Sequence, residues 1–84
     1  MRIVWKPRAL GHLEAAADWS PKQAMAVVDA VERMAVTGWS LGRPVGKRLR
    51  WLPVPPLAVL YDVRPGELIV VAVIDVRRLQ TLPP

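Results

Sequence analysis

Six cations in the second half of the chain, Arg43, Lys47, Arg48, Arg50, Arg77 and Arg78, are the residues whose type and spacing point most directly to chemistry. Guanidinium and ammonium groups gathered on one surface create a local positive field, which draws a polyanion or an acidic protein face. The charge balance follows the same division. Residues 1–40 carry five Lys/Arg against four Asp/Glu, and residues 41–84 carry seven against three, so most of the formal net charge of +5 sits in the second half. Such a surface can also serve solubility alone.

Other chemistries are thinly supplied. The absence of cysteine excludes disulfides and thiolate chemistry at metals or as a nucleophile. One histidine, His12, cannot build a zinc site by itself, and it has no second histidine, cysteine or acid at a catalytic spacing, so a surface role is expected for it. Tyr61 lies in a mostly apolar run and reads as a core residue.

These side chains need a scaffold, and 84 residues allow one small domain, 1–84, with one modest core. The longest apolar run, 68–74, is far short of the roughly 20 residues of a membrane-spanning helix. Met1-Arg2-Ile3-Val4-Trp5 runs into Lys6-Pro7 without the apolar stretch of a signal peptide. A cytoplasmic location with no membrane partner is therefore expected.

Ile3-Val4-Trp5 reads as a strand that ends at Pro7, where proline suits the first turn of a helix. Ala9, Leu10, Leu13, Ala16 and Ala17 then recur at helical spacing across 7–19. Ser20-Pro21-Lys22-Gln23 is a helix start with serine as cap, and Ala24, Val27, Val28, Val31, Met34 and Ala35 continue the stripe to a stop at Gly38. An irregular connection is expected over 38–46. Beyond it three strand-length runs follow: 47–52, 57–63 and 68–76. A proline corner at Pro53, Pro55 and Pro56 separates the first two, and an Arg64-Pro65-Gly66-Glu67 turn the last two. Alternation along the first run places Arg48 and Arg50 on one face, read as solvent-facing, and Leu49 and Trp51 on the other, read as core. Arg77 and Arg78 should then lie nearer the Trp51 end than the Lys47 end, forming one connected cationic surface with Arg48 and Arg50, while Lys47 falls on the Leu49 and Trp51 side. The fold class is α+β, β-α-α-β-β-β, with a helix hairpin on one face of a small, mainly antiparallel sheet.

The opening Ile3-Val4-Trp5 with Ala9 and Leu13, then Gly42-Arg43-Pro44, Arg48-Leu49-Arg50, Val59-Leu60-Tyr61-Asp62-Val63 and Val73-Ile74-Asp75-Val76-Arg77-Arg78, resembles in order and spacing the RelE/ParE superfamily of bacterial toxins. The resemblance covers nearly the whole chain. It implies the toxin half of a type II toxin–antitoxin pair, neutralised by a small antitoxin, with no cofactor or metal. RelE-like members cleave messenger RNA on the ribosome and ParE-like members poison DNA gyrase, so gyrase or ribosome-bound message is the implied target. A homodimer or a toxin–antitoxin hetero-oligomer is the implied assembly.

Two departures favour a ParE-like or otherwise non-nucleolytic toxin. RelE-like toxins usually carry an arginine where this chain has Ala58, and often a tyrosine or histidine near the carboxyl end, where this chain reads Gln80-Thr81-Leu82-Pro83-Pro84. RNA cleavage through the 2′-hydroxyl needs a proton acceptor, a proton donor and cations on the phosphate. Arginines supply the cations, while Lys47, Tyr61 and His12 are the remaining groups for proton transfer. A RelE-like ribonuclease is the alternative. A further one is a small basic RNA- or protein-binding module, although the sheet aromatics that stack on RNA bases are scarce, with no phenylalanine and one tyrosine.

Overall fold

The structure, a computed structural model, describes residues 1–38 and 42–79, with Arg78 and Leu79 described by backbone alone. Strand β1 (Arg2–Trp5) hands over to helix α1 (Pro7–Trp19) as expected, with Pro7 in the first turn. Ser20 closes α1 by donating its N–H to Ala16 O at 2.8 Å. It also opens α2 (Pro21–Thr37), its Oγ accepting from Gln23 N–H at 3.2 Å. The Gln23 amide reaches elsewhere: Nε2 donates to Pro55 O at 2.6 Å and ties the start of α2 to the proline corner. Gly38 ends the helix in the left-handed conformation at φ 68°, its N–H bonded to Met34 O.

The remaining elements are β2 (Arg43–Val45), β3 (Leu49–Val54), β4 (Leu57–Arg64), β5 (Glu67–Asp75) and a single helical turn, α3 (Val76–Leu79). Their order across the sheet is β1-β5-β4-β3-β2, antiparallel except for the parallel β1–β5 pair. The doubly apolar β5 is thus an interior strand. The expected α+β layout holds, with two additions. Part of the connection expected to be irregular, Arg43-Pro44-Val45, pairs with β3, while its residues 39–41 lie outside the described ones. The chain also turns helical after Asp75, where the strand was expected to run on to Val76.

The turn at Pro65-Gly66 places Gly66 at φ 73°, which proline before it and glycine in it accommodate without strain. Pro53 pairs with Ala58 on β4 but lies beyond Trp51, the last β3 residue paired with β2, so no strand flanks it outside. Pro44 occupies β2, the edge strand. Both positions are ones where a missing N–H disrupts no ladder.

Both helices pack on one face of the sheet. Ala9 and Ala16 of α1 and Ala24, Val27, Val31 and Met34 of α2 meet Leu57, Val59, Tyr61, Leu68, Val70 and Val73, with Ile3, Trp5, Leu52 and Val54 packed around them. Each fully buried valine or leucine here contributes about 1.5–3 kcal/mol of transfer free energy. Leu10, counted in the apolar stripe of α1, is instead 43% exposed, because small alanines bring the helix onto the sheet along Ala9 and Ala16.

This packing reverses the faces expected for the basic strand. Arg50 pairs with the fully buried Tyr61, and Leu52 with Val59, so Arg50, Leu52 and Val54 point toward the helix side. Leu49 and Trp51 point to the other face. Arg48 is not on the strand at all but in the turn before it. Alternation on a sheet covered on one side and apolar on both leaves the choice of face to the helices, and Leu52, with Val54 beyond Pro53, decides it.

Candidate functional site

The register and the turns place the described cations. Lys47 and Arg48 occupy the exposed turn between β2 and β3, and Arg43 is exposed at the start of β2, its side chain on the face opposite the helices. Half-buried Arg50 stands just inside that hairpin. The Arg50 row, shared with Tyr61 and Val70, is four residues from the row of Val54, Leu57 and Asp75, or about 13 Å along the strands. Arg77 follows Asp75 beyond that far row. The structure therefore gathers Lys47, Arg48 and Arg50 at one end of the sheet, with Arg43 in the row of Trp51, and places Arg77 past the other end, the side chain of Arg78 lying outside the described residues. Arg77 thus lies toward the Trp51 end, as expected, and apart from the Lys47–Arg48 turn along the sheet.

Arg50 is fixed by a short relay. Gly42 N–H donates to Tyr61 Oη at 2.7 Å, and Gly42 O accepts from Arg50 Nε at 3.3 Å. Glycine is required at 42 by proximity: a Cβ there would lie 2.5 Å from Tyr61 Oη, 2.8 Å from its Cε1 and 2.9 Å from Trp51 O. Tyr61, expected in the core, is fully buried, and its hydroxyl anchors the residue that leads into β2. The Gly42-Arg43-Pro44 motif carried that signal, but nothing in the sequence named Tyr61 as its partner.

At the far end Arg77 is engaged on two sides. Its Nε and Nη2 donate to the two carboxylate oxygens of Asp75 at 3.1 and 2.9 Å, and its guanidinium carbon lies 5.1 Å from the centre of the Trp19 ring. Hydrogen bonding to Asp75, and then the charge of that carboxylate, raise the basicity of the Arg77 guanidinium above its ordinary value. Asp75 Oδ1 also accepts from the Arg77 backbone N–H at 3.0 Å, which starts α3. The Trp19 stack had no sequence signal, because it joins the end of α1 to a residue beyond the last strand.

The groups that could move protons do not converge. Tyr61 is sealed in the core and Lys47 lies in the exposed turn. His12 is not the surface residue expected: it is half-buried, and its Nδ1 accepts from Val73 N–H at 3.1 Å. Strand β1 stops at Trp5, opposite Val70, so the β5 backbone beyond it has lost its neighbour and α1 supplies a ring nitrogen in place of a carbonyl. That bond requires the neutral ring with its proton on Nε2. Ala58 is fully buried, paired with Pro53 and Ile74. No cluster of three metal-ligating side chains occurs among the described residues.

The face opposite the helices carries Val4, Leu49, Trp51, Leu60, Ile69 and Ile74, all half-buried, and neither α1 nor α2 covers it. The chain is thus a basic, partly apolar α+β fold in which the described proton-transfer groups stand apart. Residues 3–80 match the family described as ParE toxin of type II toxin-antitoxin system, parDE. The chain belongs to the ParE toxin family. Among solved structures, this ParE-family toxin is similar to one described as the chromosomal ParDE TA system from P. aeruginosa. The TM-score is 0.72 at 21% identity, over 87% of this chain and 92% of that one. At that identity the likeness concerns the fold. No curated protein matches the toxin. No helix among its described residues is long and apolar enough to cross a membrane.

Proposed function

We propose that this toxin arrests growth by poisoning DNA gyrase in the cytoplasm, gripping it through the basic end formed by Arg43, Lys47, Arg48 and Arg50, without cutting nucleic acid. The observation that carries this reading is the burial of Tyr61 at 0% exposure with its hydroxyl bonded to Gly42, together with a fully buried Ala58 farther along the strand in place of a cation. Among the described residues, a phosphate held at the basic end would find arginines and a lysine, while the nearby carboxylate, Asp62, is already paired with Arg64 and Tyr61 is sealed in the core. The reading adds a small antitoxin that neutralises the toxin in a hetero-oligomer by covering the half-buried apolar face of the sheet, a surface of the kind that soluble chains keep for partners.

The test sets purified gyrase on plasmid DNA beside ribosomes programmed with message. Inhibition of supercoiling by the toxin, with the message left intact, is expected. Metal-independent cleavage of ribosome-bound message, with supercoiling unchanged, would move the toxin to the RelE-like class.

A further inference from the structure

Where the proline corner meets the start of α3, Trp51, Pro53, Pro55, Pro56 and Val76 line a groove of about 320 Å³ with Arg77 among its walls. That is space for about ten waters at liquid density. We propose that this groove receives an apolar side chain of the antitoxin, and that Arg77 takes a carboxylate of the same antitoxin segment. The inference rests on the antitoxin reading above and names the place and chemistry of one anchor.

The lining selects a protein segment over a nucleic acid. Three of the wall residues are prolines, which have no N–H to offer a phosphate, and Arg77 is the one cation among the lining residues. What the groove offers is a largely apolar aromatic and aliphatic surface, and an apolar side chain fits it. Arg77 supplies the polar contact. Its fork holds Asp75 through Nε and Nη2, and the Nη1 donors suit a second carboxylate. Its side chain is 61% exposed, so a partner reaches it without opening the core. The chain's net charge of +5 argues for an acidic partner and against a second copy of this chain, which would bring the same charge. Trp51 joins the groove to the open sheet face, so one antitoxin segment can lie on both.

Arg77 could instead be only a latch between Asp75 and Trp19, and the two roles predict opposite signs. The probe is the purified small protein encoded beside this gene, with affinity measured by calorimetry and folding by circular dichroism. Arg77→Glu, or Arg77→Gln should the first fail to fold, is expected to weaken binding by about tenfold, the equivalent of one charge-assisted hydrogen bond. Asp75→Asn keeps an oxygen to cap α3 but removes the competing charge, and is expected to tighten binding severalfold. Pro53→Glu, at an exposed position in the groove, is expected to weaken it. Weakening by both Arg77→Glu and Asp75→Asn, or binding indifferent to all three changes, overturns this proposal alone. A shift of the toxin's own monomer–dimer equilibrium by Arg77→Glu, without loss of the partner, also overturns it. Failure of the unaltered toxin to bind the probe overturns it together with the antitoxin reading.

Discussion

Replacing Tyr61 by phenylalanine removes one oxygen from the core and tests whether the basic end is held from within. The ring packing survives, but Gly42 N–H, 2.7 Å from the lost oxygen and itself buried, is left without its acceptor. Stranding a buried donor costs about 1–3 kcal/mol. In a domain of this size each kcal/mol lowers the melting temperature by roughly 4–8 °C, so a fall of about 8–16 °C is expected for a central cost of about 2 kcal/mol. The Gly42 amide should also lose its protection against hydrogen exchange. Gly42→Ala provides a cross-check, since its Cβ would press on Tyr61 Oη, Tyr61 Cε1 and Trp51 O, with overpacking costing about 1–3 kcal/mol. Combined with Tyr61→Phe, part of that crowding is relieved, so the two costs should add to less than their sum. Thermal melts and amide exchange on the three variants decide the matter. A Tyr61→Phe variant that melts within 2 °C of the parent, by rough reckoning under 0.5 kcal/mol, with Gly42 still protected, would refute the anchoring role.

Three further outcomes are expected. Ser20→Ala removes the acceptor for Gln23 N–H and should destabilise the fold by about 1 kcal/mol in denaturant titration, with the m-value unchanged. His12→Ala strands Val73 N–H and should cost about 1–3 kcal/mol, raising exchange at Val73 before the rest of β5. The triple change Arg43→Ala, Lys47→Ala, Arg48→Ala removes exposed charges only; it should leave each site's stability within about 0.5 kcal/mol and abolish growth arrest on expression. A folded triple variant that still arrests growth would take the basic end out of the mechanism.

The helices and their caps were legible because proline, serine and glycine act locally: Pro7, Ser20, Pro21 and Gly38 each stand where the sequence placed them. The meander was legible from its turns. What escaped was tertiary. Whether Arg50 or Trp51 faces the core depends on where two helices land, and the decisive residues, Leu52 and Val54, lie on either side of a proline that seemed to end the strand. His12 was read from its own helix, yet its partner is a strand edge exposed when β1 stops at Trp5. The place of Arg77 toward the Trp51 end was legible from the meander's register, but its partners, Asp75 and Trp19, were not.

The two prolines on the β2 flank have a consequence for how the protein behaves when crowded. Pairing of β2 with β3 at Arg43 and Val45 turns the backbone of Pro44 outward, and the same alternation turns Pro53 outward past the last paired residue. At both places the atom that would donate to an incoming strand is a ring nitrogen without hydrogen, and the next carbonyl along, Pro55 O, is already taken by Gln23. A neighbouring chain sliding alongside finds acceptors without donors, so it cannot zip on. The toxin can therefore expose a cationic, tryptophan-bearing margin at high concentration without that margin seeding fibrils.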